Sequence, residues 1–80
     1  IAHSTNVERE IEGRELTAAI NAFLGTLSAF DRNVFVCRYW YLDPVRDIAK
    51  ATHASESRIK SILFRLRKKL RVYLEEEGLL

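Results

Sequence analysis

The chain has 80 residues, which is enough for one domain built around one hydrophobic core. Its hydrophobic fraction of 48% favours a compact fold over disorder. One proline and three glycines favour helices over a turn-rich sheet protein. No apolar run approaches the roughly 18 residues that a membrane span requires, so no membrane partner is expected. The single cysteine, Cys37, has no partner for an internal disulfide, which favours a reducing, cytoplasmic setting.

The beginning of the sequence differs from that of a secreted protein. Charged side chains occupy six of the eight positions from 8 to 15, where a secretory signal would need an apolar stretch. The sequence contains no methionine. We therefore expect it to be a piece of a longer protein.

The first predicted helix spans about residues 6–26. Thr5, with Glu8 three residues later, has the spacing of a capping box. A stripe of apolar residues at helical spacing follows, and Gly25 lies near the expected end. The stripe comprises Val7, Ile11, Leu16, Ile20, Phe23, Leu24 and Leu27.

The second predicted helix spans about residues 29–41. Ser28 is a typical N-cap residue, and Asp31 in the first turn favours the helix dipole. The segment is rich in large apolar groups, including Tyr39, Trp40 and Tyr41. We expect these three aromatic residues to pack in the core, with a protein-binding surface as the alternative.

The third predicted helix is short and spans about residues 44–52. Asp43 is its expected cap, and Pro44 suits the first helical position because its missing N–H has no partner there. The expected buried face consists of Val45, Ile48 and Ala49.

The turn after this helix consists of His53 and Ala54. The backbone at His53 is expected to adopt a positive φ, which histidine tolerates better than most residues. Ser55 is the expected cap of a fourth helix over about residues 56–76, and Gly78 its expected stop. Its predicted buried stripe comprises Ile59, Ile62, Leu63, Leu66, Leu70, Tyr73 and Leu74.

These four helices predict an all-α, single-domain fold of the helix-turn-helix type. We expect a three-helical core of the winged-helix kind with an additional N-terminal helix and no wing.

The net charge of +2 conceals an uneven distribution. Residues 56–71 contain seven basic residues and one acidic residue, a charge of +6. Residues 1–44 carry −2, residues 45–55 carry +1, and the tail with Glu75, Glu76 and Glu77 carries −3. A block this basic on one helix is typical of a protein that binds a polyanion. A solvated helix face, the alternative, explains mixed charges better than a block of one sign.

The first turns of the fourth helix are predicted to enter the major groove of DNA. Arg58 and Lys60 can donate to guanine or to phosphate, and Glu56 can accept from a cytosine amino group. Glu56 is explained equally well as a first-turn acid that favours the helix dipole. The basic residues beyond Phe64 lie too far along the helix to read bases. Some of them are expected to bind phosphate, and the others to keep the helix soluble or to face a protein partner. The predicted DNA-contacting residues are Arg46, Lys50, Ser55, Glu56, Ser57, Arg58, Lys60, Ser61 and Arg65.

Phe64 is an exception to this polar face, because it lies opposite the buried stripe although it is large and apolar. We expect another helix to cover it. The alternative is a protein-binding patch.

Two segments resemble region 4 of the bacterial sigma-70-family RNA polymerase sigma factors. They read L-S-A-F-D-R-N-V-F-V-C-R-Y-W-Y-L-D-P-V-R-D-I-A-K-A, residues 27–51, and S-E-S-R-I-K-S-I-L-F-R-L-R-K-K-L-R, residues 55–71. The resemblance covers roughly residues 16 to 77. It departs from the family pattern at His53, which is usually glycine, and at Thr52 and Ala54, which are usually larger apolar residues.

The resemblance implies that the last helix recognises the −35 element of a promoter. It also implies docking on the flap of the polymerase β subunit, no cofactor, and a location in the cytoplasm at the bacterial nucleoid. The family's base-contacting positions fall on Glu56, Ser57, Arg58, Lys60 and Ser61. The domain that melts the −10 element has no counterpart here, so we expect a fragment or a chain that does not initiate transcription alone.

The sequence is also compatible with two other classes of function. One is a protein-interaction module bound by an anti-sigma factor or a polymerase subunit. Another is the DNA-binding domain of a response regulator, which usually dimerises through its final helix and lacks the R-x-R-K-K-L-R run. An enzyme is not expected, because Cys37 has only His3 and His53 as conceivable bases. Neither zinc-ligand spacing nor a glycine-rich phosphate loop is present in the sequence.

Overall fold

The computed structural model describes the backbone of residues 2–80 and the side chains of residues 13–80. Within that part of the chain the secondary structure consists of four α-helices and no β-strand. They are α1 (Ala2–Gly25), α2 (Ala29–Tyr39), α3 (Val45–Thr52) and α4 (Glu56–Glu76). The predicted all-α, helix-turn-helix class is therefore confirmed.

Helix α1 begins at Ala2, several residues before the predicted start near residue 6. The side chains of the predicted capping box, and those of Val7 and Ile11, lie outside the described residues. Phe23 is buried, and its ring packs against those of Phe35 and Tyr73 at centroid distances of 6.3 and 5.6 Å. Leu16, a member of the predicted apolar stripe, is 41% exposed. Among the described side chains, only the last turns of α1 lie against the other helices.

Helix α2 has the predicted cap but ends earlier than predicted. The Ser28 hydroxyl accepts a hydrogen bond from the Asp31 N–H at 3.2 Å. The helix ends at Tyr39, and the chain turns away at Leu42, whose φ is +59°. The loop is held by main-chain bonds, since the N–H groups of Trp40 and Tyr41 both donate to the Val36 carbonyl.

This early end places the aromatic residues at the surface. Tyr39, Trp40 and Tyr41 are all exposed, and Trp40 is 79% accessible. The prediction that they pack in the core is therefore wrong. The physical reason is that α2 ends at Tyr39, so Trp40 and Tyr41 lie in the exposed loop that follows it. The Tyr39 ring packs on Phe35 from the surface, with 4.8 Å between the ring centroids.

Helix α3 begins one residue later than predicted. Its N-cap is Pro44, with no side-chain capping bond, so the prediction of Asp43 as cap is wrong. Asp43 belongs instead to the preceding loop. Its N–H donates to the Cys37 carbonyl at 2.9 Å, and its carbonyl accepts from Arg38 Nη1 at 3.1 Å.

The turn between α3 and α4 has the predicted left-handed residue. His53 lies at φ 56° and ψ 35°, and the Ala54 N–H donates to the Ala49 carbonyl at 3.0 Å. Thr52 donates its hydroxyl to the Ile48 carbonyl at 2.7 Å, so its polar group is satisfied within α3. The Ser55 hydroxyl accepts from the Arg58 N–H at 3.0 Å, which confirms the predicted cap of α4.

Replacing His53 with glycine is expected to stabilise the fold by about 0.5–1 kcal/mol. The left-handed conformation costs a residue with a Cβ roughly 1–2 kcal/mol, and the greater chain entropy of glycine offsets part of that gain. Urea unfolding followed by circular dichroism measures the change. The control is His53→Ala, which keeps a Cβ and should give no gain. Equal stabilisation by both variants would show that the backbone conformation is not the cause.

The core lies between α2, α3 and α4. It combines two residues of α2 and two of α3 with the buried stripe of α4. Leu66 and Ile59 are fully buried, and Leu70 and Tyr73 are partly buried. The buried residues of this core cluster are Val34, Phe35, Ile48, Ala49, Ile59, Ile62, Leu63 and Leu66, and Phe23 and Leu74 are buried beside them. Because this stripe faces inward, the opposite face of α4 is presented to solvent.

Candidate nucleic-acid interface

The face of α4 opposite the core begins at the turn and runs along the helix. Ser57, Ser61, Phe64 and Lys68 lie on it, since steps of 100° per residue place them together. Leu66, which is fully buried, points the other way. All of the residues predicted to contact DNA are exposed: Arg46, Lys50, Ser55, Glu56, Ser57, Arg58, Lys60, Ser61 and Arg65. The structure therefore leaves this surface open to a ligand.

The predicted phosphate contacts of α3 lie before the turn. Arg46 and Lys50 are exposed, and they are one helical turn apart. Arg46 Nε lies 3.9 Å from a carboxylate oxygen of Asp47. Both partners of that pair are largely exposed, so the pair contributes little stability and leaves Arg46 available.

Arg65 has an ion-pair partner that the sequence reasoning missed. Its Nη2 donates to Asp31 Oδ2 at 3.0 Å, and the Asp31 side chain is largely covered. The two residues are separated by 34 positions, so no local spacing rule could have paired them. The carboxylate partly neutralises a cation that the sequence assigned to DNA.

Arg58 also has a partner on α2. Its guanidinium lies over the Phe30 ring, 5.0 Å from the ring centroid. Such cation–π contacts contribute about 0.5–1 kcal/mol at exposed sites. The contact restricts Arg58 to the α2 side of the face. By contrast, Lys60 makes no ion pair with any residue in the range 13–80.

Removing the Asp31 carboxylate is expected to strengthen binding to all duplexes alike. Asp31→Asn releases Arg65 for phosphate, so the slope of log K against log salt should become more negative by about 0.9. Fluorescence anisotropy with labelled duplexes at several salt concentrations measures this slope. Glu76→Gln is the matched control, because it removes the same charge away from Arg65. A slope that is the same for both variants would contradict the role assigned to Asp31.

Phe64 is 55% exposed, so the prediction that another helix covers it is wrong. Its ring lies beneath Lys68, whose Nζ is 4.8 Å from the centroid. The ring therefore stands on the solvent face of α4, together with a cation.

A second surface lies on another side of the molecule. The aromatic groove, as we call it, has a volume of about 720 Å³ and lies between α1, α2 and α4. In the wall of the groove, Arg67 Nη1 donates a hydrogen bond to the Tyr39 hydroxyl at 2.8 Å. Leu70, on the α4 side, lies roughly 140° around the helix from Ser57. The groove is defined here by Ile20, Leu24, Tyr39, Trp40, Arg67 and Leu70.

Cys37 does not have the environment of an activated nucleophile. Burial, followed by the negative charge of Asp43, raises the pKa of its thiol. A raised pKa lowers the thiolate fraction at neutral pH and therefore lowers reactivity. The thiol donates to Asn33 Oδ1 at 3.7 Å.

Residues 13–80 contain no group of three or more His, Cys, Asp or Glu side chains that could hold a metal ion. In the described part of the chain, no helix combines the length and apolar character needed to cross a membrane.

The capped, cationic α4 that follows α3 through a left-handed turn defines a helix-turn-helix DNA-binding domain. A comparison with protein-family models matches Sigma-70, region 4, over residues 23–72. The chain therefore belongs to the sigma-70 region 4 family, a DNA-binding region of sigma factors and not a family of enzymes. The match includes α2, α3 and most of α4. No curated protein and no solved structure matches the chain.

Proposed function

We propose that the chain recognises the −35 element of bacterial promoters, as part of a sigma factor or of a sigma-like transcription regulator. One observation carries this proposal. The start of α4 is capped by Ser55 and lies on the surface, while Ile59 and Leu66 hold the helix from behind. Such a helix end can enter a major groove without any rearrangement of the core.

Direct reading of bases is assigned to the first turns of α4. The short side chains of Ser57 and Ser61 allow the helix to approach the base edges closely and can donate or accept there. Lys60 can donate to guanine or to phosphate. Arg58 can reach guanine from the α2 side of the face, where Phe30 supports it. Glu56 either accepts from cytosine or stabilises the helix dipole.

Phosphate contacts are assigned to residues around the reading helix. Arg46 and Lys50 approach the DNA backbone from α3. Arg65 can approach it from α4 once its ion pair with Asp31 is broken. The N-terminal N–H groups of α4, next to Ser55, form a further anion site. These contacts set the register of the protein on the duplex without reading its sequence.

The aromatic groove is proposed to receive the flap of the polymerase β subunit. Its exposed Trp40 and apolar Leu70 provide a large apolar surface with a polar wall at Arg67, a composition typical of protein interfaces. The groove and Ser57 lie on different sides of α4, so DNA and polymerase can bind at the same time. An anti-sigma factor is the competing occupant of this surface. A function at promoters places the protein at the nucleoid in the cytoplasm.

A titration with duplexes of different sequence, at several salt concentrations, tests promoter reading. A steep salt slope together with a preferred sequence supports the proposal. A steep slope without preference would leave only non-specific DNA binding and would overturn it. Sedimentation of the same sample distinguishes the response-regulator alternative, because that class would give a stable dimer.

Trp40→Ala is expected to weaken binding to polymerase core by at least tenfold, as truncation of a tryptophan that a partner covers commonly does at protein interfaces. Affinity for DNA should be unchanged. Val72→Ala is the matched control, because Val72 is also exposed and apolar but lies outside the aromatic groove. Surface plasmon resonance with immobilised core enzyme measures both. Equal binding by the two variants would place the polymerase contact elsewhere.

A further inference from the structure

Phe64 is a feature of the DNA-facing surface that none of the contacts assigned above uses. It is 55% exposed, next to the polar side chains of Ser57, Ser61 and Lys68. The described side chains, those of residues 13–80, leave more than half of the ring accessible, although a buried position for so large an apolar ring would stabilise the fold. Its position beside Ser61, on the face of α4 assigned to DNA, allows the ring to contact the duplex.

The helix geometry places this ring in the same groove as the two serines. Phe64 follows Ser61 by three residues, a distance of about 4.5 Å along the axis. Around the axis it lies roughly 20° from Ser57 and 60° from Ser61. A phenylalanine ring extends much further from the backbone than a serine hydroxyl. If the serines approach base edges, the Phe64 ring must therefore lie inside the groove as well.

The groups that line the major groove determine what an apolar ring can contact there. Base edges there present hydrogen-bond donors and acceptors, and the 5-methyl group of thymine is their apolar group. Lys68 holds its ammonium group 4.8 Å from the ring centroid. That cation is one helical turn beyond Phe64, where it can pair with a phosphate while the ring lies against a base.

We propose that Phe64 is a specificity-determining residue that packs against the 5-methyl group of one thymine in the preferred duplex. This inference rests on the proposed function, because it requires α4 to lie in the major groove. It extends that function from polar reading by Ser57, Lys60 and Ser61 to recognition of a methyl group. It also identifies an adenine–thymine pair beside the positions read by the first turns.

Replacing single thymines with uracil tests the proposal, since this change removes only the methyl group. A preferred duplex is first selected from a randomised pool, and each thymine is then replaced in turn. The wild-type protein should lose about fourfold in affinity at one position, the effect expected for one buried carbon. Phe64→Ala should bind the unmodified duplex more weakly and show no further loss with uracil at that position.

Controls separate this inference from the proposed function. Val72→Ala, which removes another exposed apolar side chain of α4, should keep the full uracil effect. A wild-type protein that prefers one duplex but tolerates uracil everywhere would overturn the role of Phe64 alone. The absence of any preferred duplex would overturn the proposed function and this inference with it. Because Phe64 is exposed, its alanine variant should keep the unfolding midpoint of the wild type.

Discussion

Leu66→Ala is expected to destabilise the domain by about 2–5 kcal/mol, the range measured when a buried leucine is truncated. Leu66 is fully buried at the centre of the α4 stripe, so its removal leaves a cavity between three helices. Domains of this size have a free energy of unfolding of roughly 4–12 kcal/mol. The variant should therefore lose a large part of its stability, and the loss should appear as a lower urea midpoint at an unchanged slope.

Val72→Ala provides the comparison within the same helix. Val72 is exposed, and its truncation should change the free energy of unfolding by less than about 0.5 kcal/mol. If the two variants unfold at the same urea concentration, Leu66 cannot occupy the centre of the core. Because Leu66 does not face DNA, Leu66→Ala should lose DNA binding only at temperatures at which the variant is unfolded.

Arg58→Ala is expected to weaken binding to the preferred duplex by about 1–3 kcal/mol and to relax the preference at one base pair. The guanidinium can form two hydrogen bonds with guanine, and the alanine variant forms none. Competition binding with duplexes changed at single positions measures both effects. Unchanged affinity for the preferred duplex would show that the face of α4 assigned to base reading is wrong.

Lys50→Ala is the matched control for this experiment, because it also removes one exposed cation. Lys50 lies on α3 and is assigned to phosphate, so its loss should weaken all sequences alike and reduce the salt slope by about 0.9. A third variant, Phe30→Leu, isolates the contribution of the ring beneath Arg58. It should relax the sequence preference at the same base pair as Arg58→Ala does, with a smaller loss of affinity.

The sequence predicted those parts of the fold that depend on neighbouring residues. The caps Ser28 and Ser55, the left-handed His53 and the buried stripe through Leu66 were all correct. Each depends on a preference that operates within a few residues, such as a hydroxyl accepting from a nearby N–H. The exposed face of α4 followed directly, because it is the complement of the stripe.

The predictions failed for residues whose burial or side-chain partner depends on a residue far away in the sequence or on a reversal of the chain. Trp40 was expected in the core because it is large and apolar, but α2 ends at Tyr39, and Trp40 lies in the exposed loop that reverses at the left-handed Leu42. Leucine rarely adopts that conformation, so the sequence contained no signal for it. The partners of Arg58 and Arg65 lie on α2, far away in sequence. A helical projection orders side chains around one helix and contains no information about its neighbours.

The position of Trp40 has a practical consequence, because it is the only tryptophan in the chain. A tryptophan in the core would report on folding, whereas this indole stands in water at the edge of the aromatic groove. Its emission spectrum therefore responds to whatever covers that groove. A shift to shorter wavelengths marks a protein partner there, and a duplex on α4 leaves the spectrum unchanged. The native chain thus carries its own optical label for one of its two surfaces.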